Sequence, residues 1–190
     1  MSEREARTKL TGDDLLEIQA QTGKRYELID GELVEMAPTG MPHSAIEFNI
    51  AFLLGQYVRQ RQLGRILVGE VGFYVRNDPY TVRGADVAFI RREKLPQTGL
   101  PEGFSTIVPD LVVEVVSPND RSADIAAKVA EWLAFGVETV WVVYPSERTV
   151  HVHRQSDTSQ VLSGDDLLEG SGALAGFNVP VRAIFESQFL

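Results

Sequence analysis

Apolar positions recur along the chain with two periods, and the switches between them predict a mixed α/β (α+β) fold. Residues 11–21 read as a short helix. Thr11 suits its N-cap, Asp13 and Asp14 its first turn, and Leu15, Leu16 and Ile18 give it an apolar side. Gly23 ends it. From Tyr26 to Met36 the run YELI-DG-ELVEM predicts a hairpin, because Asp-Gly tolerates the positive φ of a two-residue turn. The longest helix is expected from His43 to about Gln60, where Ile46, Ile50, Phe52, Leu53, Leu54, Tyr57 and Val58 give a broad apolar face. Strands are expected at Arg65–Val75 and Thr81–Ile90, around the turn Asn77-Asp78-Pro79. After a loop from Lys94 to Pro109, Leu111–Val116 reads as a central strand buried on both faces. A helix follows over about Ser122–Phe135, closed by Gly136, and then strands at Thr139–Val143 and Thr149–Arg154. Short strands and a small helix near Pro180–Ser187 complete the chain. The order fits one domain, residues 1–190, with a mixed central sheet flanked by helices.

Charge and composition narrow the function. A formal net charge of -9 argues against a protein that coats nucleic acid through bulk charge, and against a basic membrane-surface helix. Residues 59–94 hold eight basic against four acidic side chains, so a local basic surface is expected on an acidic protein. Cysteine is absent, which excludes disulfides, thiol catalysis and Cys-ligated zinc. With no apolar run of spanning length and no apolar signal core at the start, a cytoplasmic location is expected.

Two carboxylates sit where carboxylates are costly. Glu114 lies within LVVEVV and Asp86 within GADVAFI, both strands of apolar neighbours. By alternation Asp86 shares a face with Ala88 and Ile90, and Glu114 with Val112 and Val116. If the strands are neighbours the two acids meet, and a hard divalent cation such as Mg²⁺ relieves their repulsion. A strand-start cap for Asp86 and a structural ion pair of Glu114 with an Arg are the competing readings. Lys128 falls beside the apolar stripe of Ile125, Val129, Trp132 and Leu133, and its long stem can carry the ammonium to the carboxylates.

These residues resemble the PD-(D/E)xK nuclease superfamily, the restriction-endonuclease-like fold, and within it the bacterial Uma-type family of "putative restriction endonucleases". The resemblance is carried by YELIDGELVEM, PHSAIEFNIAFLL, RGADVAFI and, most specifically, PDLVVEVVSPNDRSADIAAKVAEWLAFGVETVWVVYP, with GFNVPVRAIF near the C-terminus. It implies that Asp86 and Glu114 are metal-binding acids, joined by a backbone carbonyl near Val115. The E-x-K lysine position is Val116 here, which passes that role to Lys128. Asp110, after Pro109, is a decoy for the family's "PD", and Ala85 stands where Pro usually precedes the catalytic Asp. Glu32 matches an acidic position near the family's site and is carried as an auxiliary ligand, with a solvent-facing hairpin carboxylate as the alternative. The activity implied is hydrolysis of phosphodiester bonds in DNA with Mg²⁺ or Mn²⁺ as cofactor.

Other candidates are weaker. His43 matches a family position, but a helix N-cap or a phosphate contact explains it equally. His151 and His153 share a strand face without a third ligand. Trp132 and Trp141 read as core. Rival functions are a non-catalytic module of the same fold binding nucleic acid or protein, and a hydrolase for small phosphodiesters, which a narrow pocket favours. Duplex cutting calls for two sites, so a homodimer is expected, with Phe185, Phe189 and Leu190 as its candidate surface.

Overall fold

The computed structural model describes residues 9–155 and 159–186. Helix α1 (Gly12–Thr22) starts on a capping box: the Thr11 hydroxyl accepts from the Asp14 N–H and the Asp14 carboxylate from the Thr11 N–H. Strands β1 (Tyr26–Ile29) and β2 (Glu32–Glu35) form the expected hairpin, with positive φ at Asp30 (51°) and Gly31 (83°). Helix α2 (Met41–Arg61) begins two residues before the expected start. Gly40 is its N-cap and Pro42 lies in its first turn, where a missing N–H costs nothing. His43 is therefore not a cap; it lies inside the helix, 8% exposed.

Strands β3 (Gly64–Tyr74) and β4 (Val82–Arg91) pair antiparallel over nearly their whole length. Strand β5 (Leu111–Val115), helix α3 (Ser122–Phe135) and strand β6 (Thr139–Tyr144) make a β-α-β unit whose strands run parallel. Strands β7 (Thr149–Arg154) and β8 (Gln160–Ser163) extend the sheet antiparallel. The eight-stranded order is β2-β1-β4-β5-β6-β7-β8, with β3 also on β4. A small second sheet joins β9 (Leu167–Glu169) to β10 (Asn178–Pro180), followed by α4 (Arg182–Phe185).

Two apolar layers sandwich the sheet. Ile46, Ile50, Leu54 and Val58 of α2 pack with Val87, Phe89, Val113, Val115 and Trp141, and the C-terminal Leu168, Phe177 and Ile184 close this layer. Val129 and Trp132 of α3 pack on Ala85, Ala88, Ile90, Val112 and Val140. Phe185 packs against the α2 layer, so it does not offer the surface expected of it; Phe189 and Leu190 lie outside the described residues. No helix among the described residues is long and apolar enough to cross a membrane.

Candidate active site

The site lies at a fork in the sheet. One edge of β4 is paired along its length with β3, while the other is shared by β1 at Val82 and β5 at Val87–Phe89. Between those ladders, side chains supply what strands do not. Glu27 Oε1 accepts the Gly84 N–H at 2.9 Å, and Asp86 Oδ2 accepts the Val115 N–H at 2.6 Å. Both carboxylates are thus fixed by buried backbone donors that need an acceptor.

Asp86 does not follow simple alternation. The β3–β4 register shifts between Val68 and Val71, where Gly69 (φ 86°) and Glu70 (φ 60°) form an irregularity. Ala85 and Ala88, three apart, both join the α3 layer, so the alternation of β4 slips at Asp86. The expected face shared with Ala88 and Ile90 is therefore lost. The carboxylate sits between β4 and β5, where His43 Nε2 approaches from α2 to 3.6 Å. His43 Nδ1 lies 3.3 Å from Ser117 Oγ, and its Nε2 has no hydrogen-bond partner among the described residues.

Glu114 faces α3. Its Oε1 accepts from Trp132 Nε1 at 2.7 Å and its Oε2 from Lys128 Nζ at 2.8 Å. The same ammonium is 3.1 Å from Glu27 Oε1. Glu27 Oε2 accepts from Arg83 Nη1 at 2.8 Å, and Arg83 Nε donates to Glu131 at 2.6 Å. Lys128 thus joins Glu114 and Glu27, while Asp86 touches the Val115 N–H and His43 and acts on Glu114 and Lys128 through its charge alone. Glu32 does not join them: it is exposed beside the hairpin turn, opposite Ile29, and makes no hydrogen bond or ion pair among the described residues. The hairpin contributes Glu27 instead, 7% exposed, which pattern reading assigned to no role. A second missed contact is the Trp132 N–H on Glu114.

Asp110 is structural. It is 5% exposed, accepts the Arg91 N–H and Nε at 2.7 and 2.6 Å, and lies 2.7 Å from Lys94 Nζ. His151 and His153 lie 6.4 Å apart between ring centres, with Tyr144 against His151, and no third ligand joins them among the described residues.

The electrostatics of the cluster are short of positive charge. Burial pushes the Glu114 carboxyl up to about 8, against the pull of Lys128 and with a further push from Asp86. Burial disfavours the Lys128 ammonium too, but Glu114, Glu27 and Asp86 more than offset that and hold its pKa above the usual lysine range. Burial also opposes ionisation of Glu27, yet Lys128, Arg83 and the Gly84 N–H hold it below its ordinary value. Among the described residues no three His, Asp or Glu side chains form a ready-made metal shell. The donor chemistry nevertheless fits a hard divalent cation, since Asp86 and Glu114 are buried oxygen donors and burial and the Asp86 charge both disfavour ionisation of Glu114.

No curated protein matches the chain. A solved structure, "Crystal structure of a putative nuclease belonging to DUF820 from Anabaena variabilis", is similar with a TM-score of 0.79 at 20% identity, over 93% of this chain and 97% of that one. At that identity the likeness shows the fold, a central sheet flanked by helices. The family model Uma2, described as "Putative restriction endonuclease", matches residues 13–182, from within α1 to the start of α4, and the chain belongs to that family.

Proposed function

We propose that this protein is a metal-dependent endonuclease that hydrolyses phosphodiester bonds in DNA. The observation that supports the reading is the buried Lys128–Glu114–Glu27 group beside the β4 fork, with Asp86 held on the Val115 N–H, next along the chain from Glu114. Asp86 and Glu114, with the Val115 carbonyl, would hold the cation. When bound, a divalent ion acidifies a water and neutralises charge on the phosphoryl group. Lys128 is placed to hold a nucleophilic water or to stabilise the charge that develops on phosphate oxygens. The Trp132 N–H fixes the Glu114 carboxylate, and Glu27 fixes the lysine. Glu114 does lie in an ion pair, though with Lys128 and not with an arginine. What sets the cluster apart from a closed pair is its excess of acid.

The test is a plasmid nicking assay with Mg²⁺ or Mn²⁺ on several DNA forms. A single site cuts one strand per encounter, so nicked circles should precede linear product, and any duplex cut should depend on a second copy of the chain. Glu114→Ala and Asp86→Ala should abolish nicking. Nicking that survives either variant, or that needs no divalent ion, would overturn the reading.

A further inference from the structure

A cleft of about 330 Å³ opens beside the acidic cluster. Its lining includes Gly84, whose N–H holds Glu27 and which stands two residues, about 7 Å, from Asp86 along β4. Glycines 69 and 72 also line it, and a Cβ at Gly72 would fall 2.3 Å from the Phe104 ring, so the ring packs on bare backbone. Tyr26 and Phe104 offer aromatic surface. The Gln19 side-chain Oε1 accepts the Tyr26 N–H at 3.1 Å, and its Nε2 makes no hydrogen bond among the described residues. Lys24 and Arg25 supply positive charge at exposed positions, Lys24 beside Glu35 at 2.8 Å and Arg25 beside Glu70 at 3.4 Å. Glu70 holds a left-handed φ of 60°, a conformation that costs a non-glycine residue and clusters at functional positions.

Rings for a base face, an amide for a base edge and a guanidinium for a phosphate are the groups that receive a nucleotide. The volume lies near the lower end of small-molecule sites, roughly 300–1,000 Å³, which is room for one nucleotide. We propose that the cleft takes one unpaired nucleotide of the strand to be cut. This rests on the nuclease reading and adds to it that the substrate is single-stranded or carries an extruded base.

The experiment measures fluorescence anisotropy in EDTA with a labelled single-stranded oligonucleotide, the matching blunt duplex, and that duplex with one bulged base. The single strand should bind at least about tenfold tighter than the blunt duplex, and Arg25→Ala and Met36→Trp, which fills the cleft, should each erase about tenfold of its affinity. Arg59→Ala removes the same charge from an exposed position on α2 and should not. Tight binding of the bulged duplex identifies extruded bases as a source; its binding like the blunt duplex restricts the proposal to single strands. Equal affinity for single strand and blunt duplex, or equal behaviour of the Arg25 and Arg59 variants, would overturn it. Cleft-dependent binding without cleavage in Mg²⁺ would sink the catalytic reading and leave the cleft assignment standing.

Discussion

At the scale of single residues, the site is a contest between burial and charge. Glu114 ionises at about 4.5 in an unfolded chain and near 8 in the fold, so the native state binds the extra proton between those values. Its contribution to stability is complete below the lower value and is lost as pH rises through the upper one. His43, raised by Asp86 against the effect of burial, adds a loss in the same direction above its ordinary 6.5. The metal-free protein should therefore melt at a higher temperature near pH 5–6 than near pH 8–9. Glu114→Gln should flatten that slope, and millimolar Mg²⁺ should reverse it; a flat profile in the wild type would mean that Glu114 stays ionised in its pair. Lys128→Ala should lower cleavage by about 10²–10³-fold, the usual cost of losing one group that stabilises transition-state charge. It should leave DNA binding in EDTA within a few-fold of wild type. Asp86, Glu114 and Lys128 were legible in the sequence because ionisable groups stand out on apolar strands and beside an apolar helix stripe. Glu27 was not, because a four-residue hairpin strand is expected to show one wet face, and a Glu there reads as solvent-facing.

Among elements, the hydrophobic periods locate the helices and strands well, since each buries a face with its own spacing. What they miss lies where two elements compete for one partner. The edge of β4 shared by β1 and β5 exists only once three distant segments meet, and no spacing in any one of them announces it. The register shift opposite Asp86 is likewise hidden from β4's own spacing, since its two positive-φ residues lie on β3. Asp110 shows how a motif match and a structural role separate. It stands in a Pro-Asp pair at the entry to β5, yet its carboxylate ties β4 to the Arg92–Lys94 turn through Arg91 and Lys94. Asp110→Asn should cost about 2–3 kcal/mol in chemical denaturation, because Arg91 and Lys94 lose a buried partner but keep access to water. Nicking measured well below the melting temperature should stay within about twofold of wild type, since ion pairs away from the chemistry act through stability. A loss of activity at full folding would make Asp110 part of the site.

For the whole molecule the question is how a chain of net charge -9 holds a polyanion. The basic stretch from residue 59 to 94 suggested a surface for it, but the fold spends half of that charge internally. Arg76 and Arg83 pair with Glu131, Arg91 with Asp110 and Glu138, and Lys94 with Asp110. What stands near the site is Lys24 and Arg25 at the cleft, which meet Glu35 at 2.8 Å and Glu70 at 3.4 Å in surface pairs weak enough for a phosphate to displace. Affinity should then come from a few contacts and from the bound cation, not from a broad phosphate track. Each neutralised phosphate on a single strand contributes about -0.7 to the slope of log K against log salt. Two to four contacts give a slope of about -1.5 to -3 for a single-stranded oligonucleotide. Titrations at several salt concentrations in EDTA measure it directly, and Arg25→Ala should make the slope shallower by a little under one. A slope steeper than about -5 would require seven or more phosphate contacts. That result would point to an extended basic groove elsewhere on the surface and to a substrate bound along its backbone, not by one nucleotide in a cleft.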